Sequence, residues 1–144
     1  MAVRDLTPKE LSKQIGGGSF KPVYYFYGEE DFRKIEAIKY ILNNYIPQAQ
    51  RLMNFTRFTV DKTDFETICA ELAAIPMLGE RRLIHIDEIQ KLKPTQQKQF
   101  FALLATPIPE TMIILSTPAA HTPKKSVAFF KNVVKIAAPV VFRR

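Results

Sequence analysis

Short apolar runs separated by helix-length segments constrain this chain more than anything else in its sequence. VYYFY (Val23–Tyr27), RLIHID (Arg82–Asp87) and TMIILS (Thr111–Ser116) are nearly continuous in apolar or β-branched residues. Each is too brief for a stable helix, and each lacks the alternation of a strand with one wet face. Such runs read as strands buried on both sides. FTRFTV (Phe55–Val60) alternates and reads as a further strand, and Val140–Phe142 as a short closing one.

The segments between them carry helix signals. Thr7-Pro8-Lys9-Glu10 has the capping-box pattern with Pro at the first helical position, which predicts a helix from about Pro8 to Ile15. Glu29, Glu30 and Asp31 open a helix to about Asn44, with Phe32, Ile35, Ile38, Leu42 and Tyr45 expected along its buried face. Asp61–Asp64 supplies a turn and cap for a helix over Phe65–Ala74, which Pro76 stops. Pro94 starts a helix through Phe100 and Leu104, and a basic helix is expected over about Lys124–Ile136. Strand and helix therefore alternate. The expected fold class is α/β: a parallel sheet in three layers, with helices on both faces.

With 144 residues and 47% hydrophobic content, the chain has the length and apolar material of one compact domain. No apolar run reaches the roughly 18–20 residues of a membrane span, and MAVRDLTPKEL lacks a secretory signal, so a soluble cytoplasmic protein is expected. Cys69, the single cysteine, lies at helical spacing from Phe65, Ile68 and Leu72 and reads as a small core residue rather than a reactive thiol. Residues 91–144 carry nine Lys/Arg against one acid, Glu110. Lys124, Lys125, Lys131, Lys135, Arg143 and Arg144 form either a basic nucleic-acid-binding surface or a solvated face.

Two places invite an ATPase reading. Gly28 joins a strand to a helix where a phosphate loop would sit. Glu29, Glu30 and Asp31 follow it, with no second glycine and no Lys-Ser/Thr, and three carboxylates there repel a triphosphate. LIHIDEIQ ends a strand in Asp87-Glu88, as in the metal-holding acid and adjacent glutamate of a P-loop ATPase. A divergent ATPase using Asp87 and Glu88 is the enzyme alternative. Gly16-Gly17-Gly18 precedes a strand instead of following one, so it reads as a connector. His85 and His121 have no ligand-type partners near them in sequence, so no metal or cofactor is expected.

One segment is left: Ile75-Pro76-Met77-Leu78-Gly79-Glu80-Arg81-Arg82. Apolar residues beyond a helix-stopping proline either tuck into the core or project as a plug for a partner. On residue type alone the core is favoured.

The chain resembles the N-terminal domain of the delta subunit of bacterial DNA polymerase III, a clamp-loader family. The resemblance is carried by VYYFYGEEDF, AAIPMLGERRLIHI, PIPETMIIL and the terminal Val-Val strand, and runs from Val23 to Phe142. It implies a P-loop NTPase/AAA+-like (RecA-like) fold without a functional P-loop, in which Gly28, Glu29, Glu30, Asp87 and Glu88 mark a degenerate nucleotide site. It implies no catalytic site, only a place within a DNA-directed DNA polymerase (nucleotidyltransferase) holoenzyme. The implied function is to bind and open the sliding clamp, the beta subunit, for loading onto primed DNA during replication. The grip falls on Met77 and Leu78, with Ile75 and Pro76 in support; the family usually has an aromatic residue where Leu78 stands. Implied partners are the clamp, the gamma/tau and delta-prime loader subunits, and DNA through the complex, with no membrane. Residues 1–144 are expected to form one such domain, with 1–21 as leading helix and connector, and the family's later domains have no counterpart here.

Overall fold

The computed structural model describes residues 4–144. Residues 1–3 of the expected leading segment lie outside the described part. Five strands form one sheet: β1 (Val23–Gly28), β2 (Phe55–Thr59), β3 (Arg82–Asp87), β4 (Thr111–Ser116) and β5 (Ala138–Phe142), in the order β2-β3-β4-β1-β5. Every neighbouring pair is parallel. Leu6 bridges to Val140 on the outer side of β5, where Leu6 N donates to Pro139 O and Val141 N to Leu6 O. That pairing covers part of a sheet edge that would otherwise be open to another chain.

The helices are α1 (Pro8–Gly16), α2 (Asp31–Tyr45), the short α3 (Arg51–Asn54), α4 (Phe65–Ala73), α5 (Pro94–Leu104) and α6 (Ala128–Val133). One face of the sheet presents Tyr24, Phe26, Leu83, Met112, Ile114, Val140 and Phe142 to α1 and α2. The other presents Val23, Tyr25, Tyr27, Ile84, Ile86, Ile113 and Leu115 to α4, α5 and α6. Two cores on one sheet explain why apolar residues in β1, β3 and β4 fall on both faces instead of alternating with polar ones. Cys69 is buried in α4, where burial and the nearby Glu66 carboxylate push its thiol pKa up.

Local chemistry sets the ends of the elements. Thr7 Oγ1 accepts from Glu10 N and Glu10 Oε1 accepts from Thr7 N, both at 3.1 Å, which closes the capping box of α1. Asp64 stands at the N-cap of α4, but its side chain makes no capping hydrogen bond. The basic helix is shorter than the sequence suggests. Pro123 and the turn closed by Val127 N to Lys124 O precede it, so only Ala128–Val133 is helical. The expected buried face of α2 also needs correction. Phe32 and Ile35 are exposed, and the inward positions are Lys34, Ile38, Ile41 and Tyr45. Lys34 takes the first inward position because backbone carbonyls await its ammonium at the strand ends.

Candidate functional site

The sheet carries one candidate site at each end. The C-terminal edge, where parallel α/β sheets place their ligands, holds Gly28, Glu29, Glu30, Asp87 and Glu88. The N-terminal edge holds the turn that enters β3. Arg82 and Asp87 are the first and last of the six residues of β3, five steps and roughly 17 Å apart.

At the C-terminal edge the chain engages the backbone amides that lead into α2 with its own atoms. In a phosphate loop, free backbone amides at the entrance of the helix hold the anion. Here Glu29 N donates to Phe142 O at 2.7 Å and Glu30 N donates to the same carbonyl at 3.1 Å. The end of β5 thus sits on the amides that would face a phosphate. Gly28 permits this approach, with φ of 114° and space for no side chain. Lys34 completes the closure. Its ammonium, on a side chain only 6% exposed, donates to Gly28 O at 2.8 Å, Thr117 O at 2.9 Å and Asp31 Oδ1 at 2.9 Å. All three of its donor positions are filled within the chain.

Asp87 and Glu88 are likewise engaged. Asp87 Oδ1 accepts from Ser116 Oγ at 2.7 Å and Glu88 N at 2.8 Å, and Oδ2 accepts from Arg57 Nη2 at 3.0 Å. Ser116 gives its one proton to Asp87, so the 2.8 Å contact from His85 Nε2 to Ser116 Oγ makes His85 the donor. Burial lowers the His85 pKa to about 4, an effect the Asp87 carboxylate opposes and Arg57 reinforces. Glu88 has left-handed backbone, φ 59°, and its carboxylate pairs with Lys91 at 3.1 Å. Asp87, Asp31, Lys34, His85 and Ser116 line one cleft of about 480 Å³ between α2 and the sheet; Gly28, Glu29, Glu30 and Glu88 do not line it.

The N-terminal edge is built differently. Helix α4 stops at Ala73, and the chain from Ala74 to Arg81 crosses to β3 through the turn. Glu80 N donates to Met77 O at 3.0 Å, closing a four-residue turn in which Gly79 has φ of 81°. That geometry is the type II turn, with glycine at the position that needs positive φ. It puts Leu78 at the tip. Leu78 is fully exposed, Ile75 is 82% exposed and Met77 is 75% exposed, while Pro76 is half-buried at the base. The core reading of these residues is therefore overturned.

Both ends of the turn are fastened by arginines. Arg82, itself buried, donates from Nη1 to Glu71 O at 2.8 Å and Glu71 Oε1 at 3.1 Å, from Nη2 to Ala74 O, and from Nε to Thr111 Oγ1 at 3.0 Å. These bonds satisfy Ala74 O and give Glu71 O, which also accepts from Ala74 N at 3.3 Å, a second donor at the C-terminus of α4. The Arg81 guanidinium lies 4.9 Å from the Tyr45 ring centre and 5.5 Å from that of Phe20, a cation–π arrangement, and donates to Tyr45 O at 3.2 Å. The sequence offered Arg81 and Arg82 only as two more charges.

Two of the six basic residues singled out in the C-terminal third face acidic side chains. Lys125 pairs with Asp5, and Arg144 Nε lies 3.6 Å from Glu30 Oε1 and 3.9 Å from Glu29 Oε2. Among the described residues no cluster of acidic, histidine or cysteine side chains suits a metal ion, and no helix is long and apolar enough to cross a membrane.

The family model described as DNA polymerase III, delta subunit, matches residues 24–139, most of the chain. This chain belongs to the DNA polymerase III delta subunit family. A curated relative, DNA polymerase III subunit delta of Bacillus subtilis, is 24% identical over 117 residues, covering 76% of this chain and 34% of the relative. The solved structure of the Bacillus subtilis DNA clamp loader delta protein superposes with a TM-score of 0.80 at 19% identity, over 94% of this chain and 42% of that one. A DNA polymerase III gamma subunit-related protein from Thermotoga maritima gives a TM-score of 0.61 at 18% identity, over 94% of this chain and 45% of that one. The fold is thus a three-layer α/β fold, a five-stranded parallel sheet flanked by helices, that matches the clamp loader delta structure. The chain spans about a third of the length of the curated relative it matches.

Proposed function

We propose that this chain is the clamp-gripping, AAA+-like domain of a clamp-loader delta subunit. It binds the sliding clamp and holds one interface of the ring open for loading onto primed DNA during replication. The observation that carries the reading is the presentation of Met77 and Leu78 on a turn fixed at both ends, beyond the half-buried Pro76. Burying two such side chains in an apolar pocket contributes roughly 1.5–3 kcal/mol each before ordering costs, enough for the centre of a modest interface. Leu78 fills the place of the family's aromatic residue with less area.

The domain hydrolyses nothing in this reading. The Glu29 and Glu30 amides already serve Phe142 O, and Asp87 is hydrogen-bonded on both oxygens, which weighs against the ATPase alternative. Energy for loading then comes from partner subunits of the gamma/tau and delta-prime kind, within a polymerase holoenzyme that works in the cytoplasm. DNA is met through that assembly, because Lys125 and Arg144 already face acidic side chains of the chain itself.

The test is the affinity of the chain for its cognate purified clamp. Met77→Ala/Leu78→Ala is expected to weaken binding by at least about thirtyfold, the scale of losing a hot spot of 2 kcal/mol or more. Unchanged affinity with an unchanged melting curve removes the reading.

A further inference from the structure

The exposed apolar side chains of the molecule are unevenly placed. Nine large hydrophobic residues stand exposed among the described residues, and five of them, Leu52, Met53, Ile75, Met77 and Leu78, belong to α3 and the turn before β3. These two segments are distant in sequence but line one feature. Met53 on one side and Ile75, Pro76 and Met77 on the other border a single cleft of about 370 Å³. Asn54 Nδ2 donates to Glu80 Oε2 at 3.1 Å, which ties the end of α3 to the base of the turn. Helix α3 is anchored on its other side as well, since Arg51 donates from Nε to Ile46 O and from Nη2 to Asn43 O, both at 2.9 Å.

We infer that Leu52 and Met53 form a second lip of the clamp-binding surface, opposite Met77 and Leu78, and bury against the same clamp. The inference rests on the function proposed above and extends it from a two-residue prong to a two-walled apolar surface. A four-residue helix with no buried residue of its own gains nothing from leaving Leu52 94% and Met53 87% exposed unless something covers them. Met53 shares its cleft with Ile75, Pro76 and Met77 of the turn, and Leu52 stands exposed beside it on α3, so the covering partner is the one that receives the prong. An isolated plug fixes only a point of contact. Two lips held by the Asn54–Glu80 bond fix its orientation too, which a subunit that holds a ring open requires. Methionine at both lips, Met53 and Met77, lets the surface adapt to the receiving pocket.

The experiment measures clamp binding by the chain, by Leu52→Ser/Met53→Ser and by Met77→Ala/Leu78→Ala, alongside the sedimentation of each variant without clamp. Both segments are exposed, so both variants are expected to melt as the parent does. The inference expects about tenfold weaker binding for Leu52→Ser/Met53→Ser, mostly through faster dissociation. It also expects amide-exchange protection of residues 51–56 when clamp is added. Loss of binding in the turn variant alone, with residues 51–56 unprotected, overturns the inference and leaves the proposed function standing. No loss in either variant removes both. Concentration-dependent self-association abolished by Leu52→Ser/Met53→Ser, with clamp binding intact, overturns it in favour of a second copy of the chain.

Discussion

Phe142 O accepts hydrogen bonds from both Glu29 N and Glu30 N, at 2.7 and 3.1 Å, so the last strand of the sheet caps the amides that lead into α2. Backbone approach this close is possible only because residue 28 is glycine. A Cβ there would fall 2.6 Å from Phe142 O and 2.8 Å from Phe142 N.

The closure is made by backbone, so removing the repelling carboxylates should not reopen it. Titration calorimetry with magnesium and ATP is expected to give no binding tighter than about 1 mM for the chain, a free energy weaker than about −4 kcal/mol. The same null heat is expected for Glu29→Gly/Glu30→Lys, which supplies a glycine and a cation. Micromolar affinity in either protein would show that Phe142 yields to phosphate and would revive the ATPase alternative.

Lys34 holds the ends of β1 and β4 together with one ammonium. Lys34→Met keeps most of the volume but leaves Gly28 O and Thr117 O without their shared donor. A loss of about 2–4 kcal/mol in urea unfolding is expected, as for buried groups stripped of a charged partner. Asp31→Asn should cost well under about 1 kcal/mol, because the Asp31 side chain is half exposed and screened. Equal losses in the two variants would mean that the ion pair, rather than the carbonyl bridging, is what matters.

How much of this was legible in the sequence follows from where the information lies. The strands could be placed because a sheet covered on both faces puts apolar residues on both sides of its strands, a purely local signal. The capping box of α1 and the proline stop after α4 are local as well. The inward turn of Lys34 was not legible, since its reason is two carbonyls on strands 6 and 83 residues away in the chain. For the same reason Phe32 and Ile35 looked like core residues. The direction of Met77 and Leu78 depended on Arg82 reaching Glu71, Ala74 and Thr111, which no spacing rule encodes. Helix α3 is a single turn and left no periodic signature.

His85 gives the fold a calculable pH dependence. Its pKa is lowered by burial to about 4 in the folded chain, against about 6.5 when unfolded. Between those values the unfolded chain binds a proton that the folded chain refuses, so stability rises with pH across this window and is lost as pH falls through it. The full difference corresponds to on the order of 3 kcal/mol, approached near pH 4. The charged neighbours that bias it are the Asp87 carboxylate, which raises it, and the Arg57 guanidinium, which lowers it. His85→Gln retains a donor for Ser116 and is expected to flatten the slope of unfolding free energy between about pH 4.5 and 6.5. A slope unchanged from the parent would assign the dependence to other groups.

Arg82 is the residue through which the sheet sets the direction of the exposed turn. Its guanidinium bonds Glu71 O and Ala74 O at the end of α4, and its Nε bonds Thr111 Oγ1 on β4, so one side chain locks the last turn of the helix to the neighbouring strand. Arg82→Met is therefore expected to act twice. Global stability should fall by about 1–3 kcal/mol from the unpaired carbonyls, and amide exchange should quicken over residues 74–80 beyond that global change. Clamp affinity should fall several-fold at a temperature where circular dichroism shows the variant folded, although Arg82 itself is buried and touches no partner. Arg82→Lys, which can reach one carbonyl but not all of these acceptors at once, should recover stability more fully than affinity. If affinity and exchange over residues 74–80 follow global stability alone in both variants, Arg82 is a core residue without a positioning role.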